Sequence, residues 1–156
     1  MSNNNSGFYM NSLLYNDNSI APGIMSICKT NKKRPYTYEP PGTNRRFVFK
    51  VAIHSIGVSS SIKSKVVHFK QKNNGSWKRA RAKLAVSISG PIYSTVCNYI
   101  DTRSKTDPFT GGTYKKRNEL RVRSSACCTI WKTNNGEVIG ILATPEGYGG
   151  SLPLTW

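Results

Sequence analysis

Ser76-Trp77-Lys78-Arg79-Ala80-Arg81-Ala82-Lys83-Leu84-Ala85-Val86-Ser87-Ile88 is the stretch whose reading decides the fold. Taken with period two, Ala80, Ala82, Leu84, Val86 and Ile88 fall on one side, and Trp77, Arg79, Arg81 and Lys83 on the other. A strand laid down this way carries an apolar row on one face and an aromatic ring with three cations on the other. Its alanines and arginines are also good helix formers. The flanks decide for a strand: Asn73-Asn74-Gly75 is a hairpin turn signal, and Ser89-Gly90-Pro91 breaks the run.

The same period recurs outward from this stretch. Phe47, Phe49, Val51 and Ile53 alternate with Val48, Lys50, Ala52 and His54, and Ser59-Ser60-Ser61 ends that strand. The next is expected to carry Val67 and Phe69 on one side and Val66, His68, Lys70 and Lys72 on the other, joined to Trp77 by the Asn-Asn-Gly turn. Ile92 to Thr102 is β-rich, and Asp107-Pro108-Phe109-Thr110-Gly111-Gly112 reverses the chain. Leu120 to Trp131 repeats the opening pattern. Leu120, Val122, Ala126, Cys128 and Ile130 share one face, opposite Arg121, Arg123, Cys127, Thr129 and Trp131. A second turn, Asn134-Asn135-Gly136, leads into Val138 to Ala143, apolar on both faces and therefore expected as a central strand. No segment has a helical period. The expectation is an all-β protein, an antiparallel β-sandwich or barrel of six to seven strands with irregular terminal arms.

Composition divides the chain into three parts. Residues 1–46 read as a polar N-terminal arm followed by a basic, proline-rich linker, with Lys32-Lys33-Arg34-Pro35 as its basic cluster. Residues 47–144 read as a basic antiparallel β domain. Residues 145–156 are a Gly/Pro-rich tail ending in Leu152, Leu154 and Trp156, which either inserts into a neighbouring subunit or folds back on its own core.

Charge is the feature that points to function. Lys plus Arg number 23 against 7 Asp plus Glu, a net +16. The segment from Lys29 to Lys83 holds 15 of these cations against the single acid Glu39. Such a field repels itself and calls for a polyanion. No apolar run approaches the roughly 20 residues of a membrane helix, so no transmembrane segment is expected. The N-terminus lacks the basic and apolar regions of a secretory signal. Cys28, Cys97, Cys127 and Cys128 are accordingly expected as reduced thiols, and the location as intracellular, in cytoplasm or nucleus, or in a virion.

Cations with aromatic rings on one sheet face would neutralise phosphates and stack unpaired bases. The residues expected to contact nucleic acid are Lys70, Lys72, Trp77, Arg79, Arg81, Lys83, Arg121, Arg123 and Trp131, with Lys115, Lys116 and Arg117 as a basic loop. Lys50, His54 and His68 extend the same surface. The expected function is non-enzymatic binding of RNA or single-stranded DNA. Self-assembly as a viral coat or packaging protein extends it, with the terminal segments as arms of a homo-oligomer. One rival is a metal-independent ribonuclease with His54 and His68 as acid and base in a shared cleft. Another is an interaction module for acidic protein or membrane surfaces. No catalytic residue, metal or cofactor is expected on the main reading. The acids are scattered, the cysteines lack Cys-x-x-Cys spacing, and Gly147-Tyr148-Gly149-Gly150 lacks the lysine and helix of a phosphate loop.

Overall fold

The structure is a computed structural model and describes residues 28–107, 114–125 and 128–156. Its nine strands run antiparallel in two sheets, with no helix among the described residues. β1 (Lys32–Tyr38), β2 (Arg45–Ile56), β3 (Ser59–Gln71), β4 (Trp77–Arg79) and β7 (Arg117–Arg123) form a five-stranded sheet. Within it, β2 lies between β1 and β3, while β4 and β7 share the far edge of β3. β5 (Ala85–Tyr93), β6 (Tyr99–Thr106), β8 (Ile139–Ala143) and β9 (Gly149–Pro153) form a four-stranded sheet in the order β6-β5-β8-β9.

This is the antiparallel all-β sandwich that the alternation implies, with more strands than expected. The surplus comes from both flanks. Lys32–Tyr38, read as linker, pairs with β2 along its whole length, and Pro35 is tolerated because β1 is an edge strand. Gly149–Pro153, read as tail, pairs with β8.

The core lies between the sheets. Phe47, Phe49, Val51 and Ile53 of β2 and Ile62 and Val66 of β3 meet Val86, Ile88 and Ile92 of β5, Leu142 of β8 and Leu152 of β9. Leu154, just past β9, is also fully buried, so the C-terminal segment folds back on its own core rather than leaving as an arm. Gly140 lies against Val51, Phe49 and Ser64 of the facing sheet. A Cβ there would lie 2.5 Å from Val51 Cγ2, so only glycine allows this closure.

The Ser76–Ile88 stretch departs from its reading. It is not one strand but a crossover between the sheets. Trp77–Arg79 pairs with the end of β3, residues 80–84 cross the sandwich, and β5 starts at Ala85 in the other sheet. Leu84, Ala85 and Val86 are buried in succession, which a strand with one wet face does not permit.

The crossover begins where β3 changes partner. Below His68, β3 pairs with β7; above it, with β4. His68 donates its backbone N–H to Lys116 O (3.1 Å) and its carbonyl accepts from Ala80 N (3.1 Å). Its ring faces the core at 3 % exposure, so the outward orientation expected for it is wrong. Arg45 Nε can only donate, so His68 Nε2 accepts (3.1 Å) and Nδ1–H is left to donate to the Ala80 carbonyl (3.0 Å). Burial first, then the Arg45 charge, hold this imidazole below its ordinary pKa, although the bond to Ala80 opposes them.

Two other expectations give way for related reasons. Leu120–Trp131 is not one strand: β7 ends at Arg123, and Trp131 returns as a core side chain at 2 % exposure. The Trp131 backbone N–H donates to Ser60 Oγ (2.9 Å). The cysteines are not all reduced either. Cys28 and Cys97 form a disulfide across a separation of 69 residues. Bridges Lys29–Thr133 and Tyr93–Lys132 bring their segments together, a proximity that spacing along the chain does not reveal. Cys128 is a free, exposed thiol, and Cys127 lies outside the described residues. With a disulfide present, the thiol argument for a reducing compartment falls.

Candidate nucleic-acid interface

Side chains of directly paired residues in an antiparallel ladder share a face, so the register assigns the outer surface of the five-stranded sheet. From β1 it receives Lys33, and from β2 Arg46, Lys50 and His54. β3 contributes Lys63 and Lys65, β7 contributes Arg117, Arg121 and Arg123, and β4 contributes Trp77 and Arg79. Apolar Val48, Val67 and Phe69 lie among them. Val67 is only 7 % exposed although it points away from the core, consistent with cover from the aliphatic stems of neighbouring Lys and Arg side chains.

Like charges are placed against each other here. Lys50 is directly opposite Lys65, and Lys63 is opposite Arg121. Burial and the neighbouring Arg121, Lys50 and Lys65 push the Lys63 ammonium below its ordinary pKa, against a smaller pull from Glu119. Lys65 is lowered in the same way by burial, Arg117, Lys50 and Arg79. Among the described residues two acids, Glu39 and Glu119, interrupt the field, and arginines occupy both. Glu39 accepts from Arg46 Nε (2.6 Å), and Glu119 accepts from Arg117 and Arg121. Burial alone would raise Glu119, yet Arg117, Lys63 and Arg121 together hold it below the usual carboxylate value. Every ion pair among the described residues uses an arginine, which leaves the outer-face lysines out of direct ion pairs, although Lys65 faces Glu119 across the ladder.

The opposite surface of the sandwich is different in kind. The outer face of the four-stranded sheet carries Ser87, Ser89 and Pro91 on β5, with Thr102, Ser104 and Thr106 paired to them on β6. Ile139 and Ile141 on β8 face Pro153 and Ser151 on β9. Among the described strand residues, no charged side chain belongs to it. β8 is central by pairing, as its apolar faces suggest, but Ile139 and Ile141 stay 38 % and 47 % exposed.

The residues expected to contact nucleic acid therefore separate into groups. Trp77, Arg79, Arg117, Arg121 and Arg123 come together on the basic face. Trp77 is half-buried, with the Arg46 guanidinium 4.1 Å from its ring centroid. Lys70 is exposed but points to the other side of its sheet, opposite Arg45 and Lys78. Lys72 lies in the β3–β4 turn, and Arg81 and Lys83 lie on the crossover, where Lys83 Nζ is 5.7 Å from the Tyr114 ring. Lys115 and Lys116 flank the start of β7, with Lys115 bridged to Ala82. Trp131 is buried and offers no stacking surface.

Arg46, Lys63 and Lys65 are not among the expected contacts, whereas Lys33 belongs to the cluster Lys32-Lys33-Arg34, for which the sequence leaves nuclear import, phosphate contact and a solvated linker open. The signal for Lys63 and Lys65 was present. Ile62, Ser64, Val66 and His68 alternate with Lys63, Lys65, Val67 and Phe69, but buried serines and a buried histidine disguise the core side. His54 is exposed on the outer face, whereas His68 is buried on the inner face. The two histidines thus lie on opposite sides of one sheet, and the acid–base pair of the ribonuclease reading is not formed.

Compared with family models, curated proteins and solved structures, the chain matches none.

Proposed function

We propose that this chain is a non-enzymatic nucleic-acid-binding protein that takes RNA or single-stranded DNA on the outer face of its five-stranded sheet. The observation that carries the reading is the charge polarity of the sandwich. Among the described residues, one outer face collects lysines that form no ion pair, and the paired strand residues of the other carry no charge. A merely solvated sheet face would interleave acids and bases, because like charges opposite each other are destabilising. Lys50 opposite Lys65 is such a like-charge pair, eased only from the β7 side by Glu119, which Arg117 and Arg121 already hold, and a phosphate chain neutralises it while counterions are released. Arg79, Arg117 and Arg123 present planar guanidinium groups that stack on unpaired bases.

Assembly as a viral coat or packaging protein extends this reading. Copies carrying +16 each meet with least repulsion through the uncharged face. The expected N-terminal assembly arm falls in residues 1–27, outside the described residues.

Fluorescence anisotropy with a labelled single strand across a salt series tests the binding claim. With about six phosphate contacts, log K falls against log salt with a slope of roughly −4. Salt-independent binding, or equal binding to anionic vesicles, would overturn it in favour of a general affinity for acidic surfaces. Size-exclusion chromatography of the bound and free protein reports assembly.

A further inference from the structure

The basic face contains one built depression. Its floor is Ala52, which is 5 % exposed. Lys33 on β1 and Lys63 on β3 flank Ala52 across the ladder, and Lys50 and His54 flank it along β2. A small residue at the centre of four long or broad side chains leaves a hollow of about 240 Å³, lined also by Asn31, Lys32 and Ile53. Asn31, in the left-handed region at φ 53°, accepts the Ser55 N–H through Oδ1 (2.8 Å) and closes one end. No carboxylate lines it, and none of its lysines forms an ion pair among the described residues.

We infer that the Ala52 hollow is a site for a phosphate group in its dianionic form, gripped from three strands by Lys33, Lys50 and Lys63 with His54 at its rim. Three lysines drawn from three strands suit a doubly charged phosphate with three terminal oxygens better than the singly charged diester of an internal linkage, which has two. The hollow therefore reads the phosphate at a strand end, or free inorganic phosphate of the same chemistry. The first source rests on the nucleic-acid reading above; the second does not.

The test uses the full chain with its disulfide intact, at constant ionic strength. Backbone amide shifts are followed by NMR during titration with inorganic phosphate. Binding is also measured for one short single strand carrying a 5′-phosphate, a 3′-phosphate or neither. Phosphate should shift the amides around Lys33, Lys50–His54 and Lys63 to saturation. One phosphorylated end should bind about tenfold tighter than the unphosphorylated strand. Ala52→Leu fills the hollow without changing charge and should abolish both effects while the unphosphorylated strand binds as before. Lys63→Gln gives the same loss of preference by a substitution on the outer face, should Ala52→Leu disturb the sheet. Phosphate shifts that spread over the whole face without saturating overturn the site, as does an end preference that survives both variants. If the strands bind alike and phosphate does not saturate, the hollow fails while the nucleic-acid reading stands. If phosphate saturates but no strand binds, the hollow stands with inorganic phosphate as its ligand, and the nucleic-acid reading fails.

Discussion

Lys63→Gln/Lys65→Gln separates a binding face from a solvated one. Both side chains lie on the outer side of β3, and Glu119, which faces Lys65 across the ladder, forms its ion pairs with Arg117 and Arg121, so removing the two lysines breaks no ion pair among the described residues. Each phosphate contact to a single strand contributes a salt slope of about −0.7, so two lost contacts flatten the slope by about 1.4. At roughly 0.1 M salt the same arithmetic gives about 5-fold per contact and about 25-fold for the pair. The double variant should not melt earlier. Lys63 and Lys65 sit beside Lys50, Arg117 and Arg121, and these neighbours together with burial already disfavour their charged forms. Neutral side chains there relieve repulsion, so Tm should hold or rise at low salt while affinity falls. Anisotropy over a salt series and a thermal melt of the same sample measure both. Unchanged affinity with an unchanged slope would refute the reasoning, as would a lower Tm that accounts for the loss.

Other consequences follow from single residues. His68 has its pKa lowered in the fold, so its contribution is complete above about pH 6.5, the unfolded value, and is lost as pH falls toward the folded value. Urea midpoints should therefore decline from pH 7.5 to 5, and His68→Gln should flatten that decline; a pH-independent midpoint would contradict it. Glu119 and Glu146 are lowered too, so their contributions fade only at still more acidic pH, separate from that of His68. Reducing Cys28–Cys97 opens a loop of 69 residues, and denaturant unfolding should show a loss of about 4 kcal/mol on the chain-entropy account. Trp131→Ala should cost about 3–5 kcal/mol as a core truncation, whereas Trp77→Ala should weaken strand binding with little effect on the melt.

Alternation was the legible part of the fold. Phe47, Phe49, Val51 and Ile53 face the core as their spacing requires, and Leu120 and Val122 turn inward opposite Arg121 and Arg123. What escaped was tertiary. Nothing local marks Ala80 as the point where the chain leaves one sheet for the other. That point depends on β7 and β4 sharing the edge of β3, and on His68 bonding both sides. His68 looked like an outward polar residue because a buried, doubly hydrogen-bonded imidazole has the same letter as a wet one. Trp131 was misplaced by extending a period of two beyond Arg123, where the strand stops. The Cys28–Cys97 bond likewise depends on contacts between distant segments. The candidate site was legible as a basic face, but its centre lies on β3, next to Trp77–Arg79, and on β2 beyond it.

Lysine acetylation followed by mass spectrometry, with and without saturating single-stranded RNA, tests the polarity of the sandwich most directly. The outer-face lysines Lys33, Lys50, Lys63 and Lys65 should be protected by RNA, while exposed Lys105, which is paired with Ile88 at the β6 edge of the other sheet and lies on neither outer face, should react as before. Protection of Lys105 equal to that of Lys63 and Lys65, or no protection on either sheet, would contradict a binding face on β1, β2 and β3.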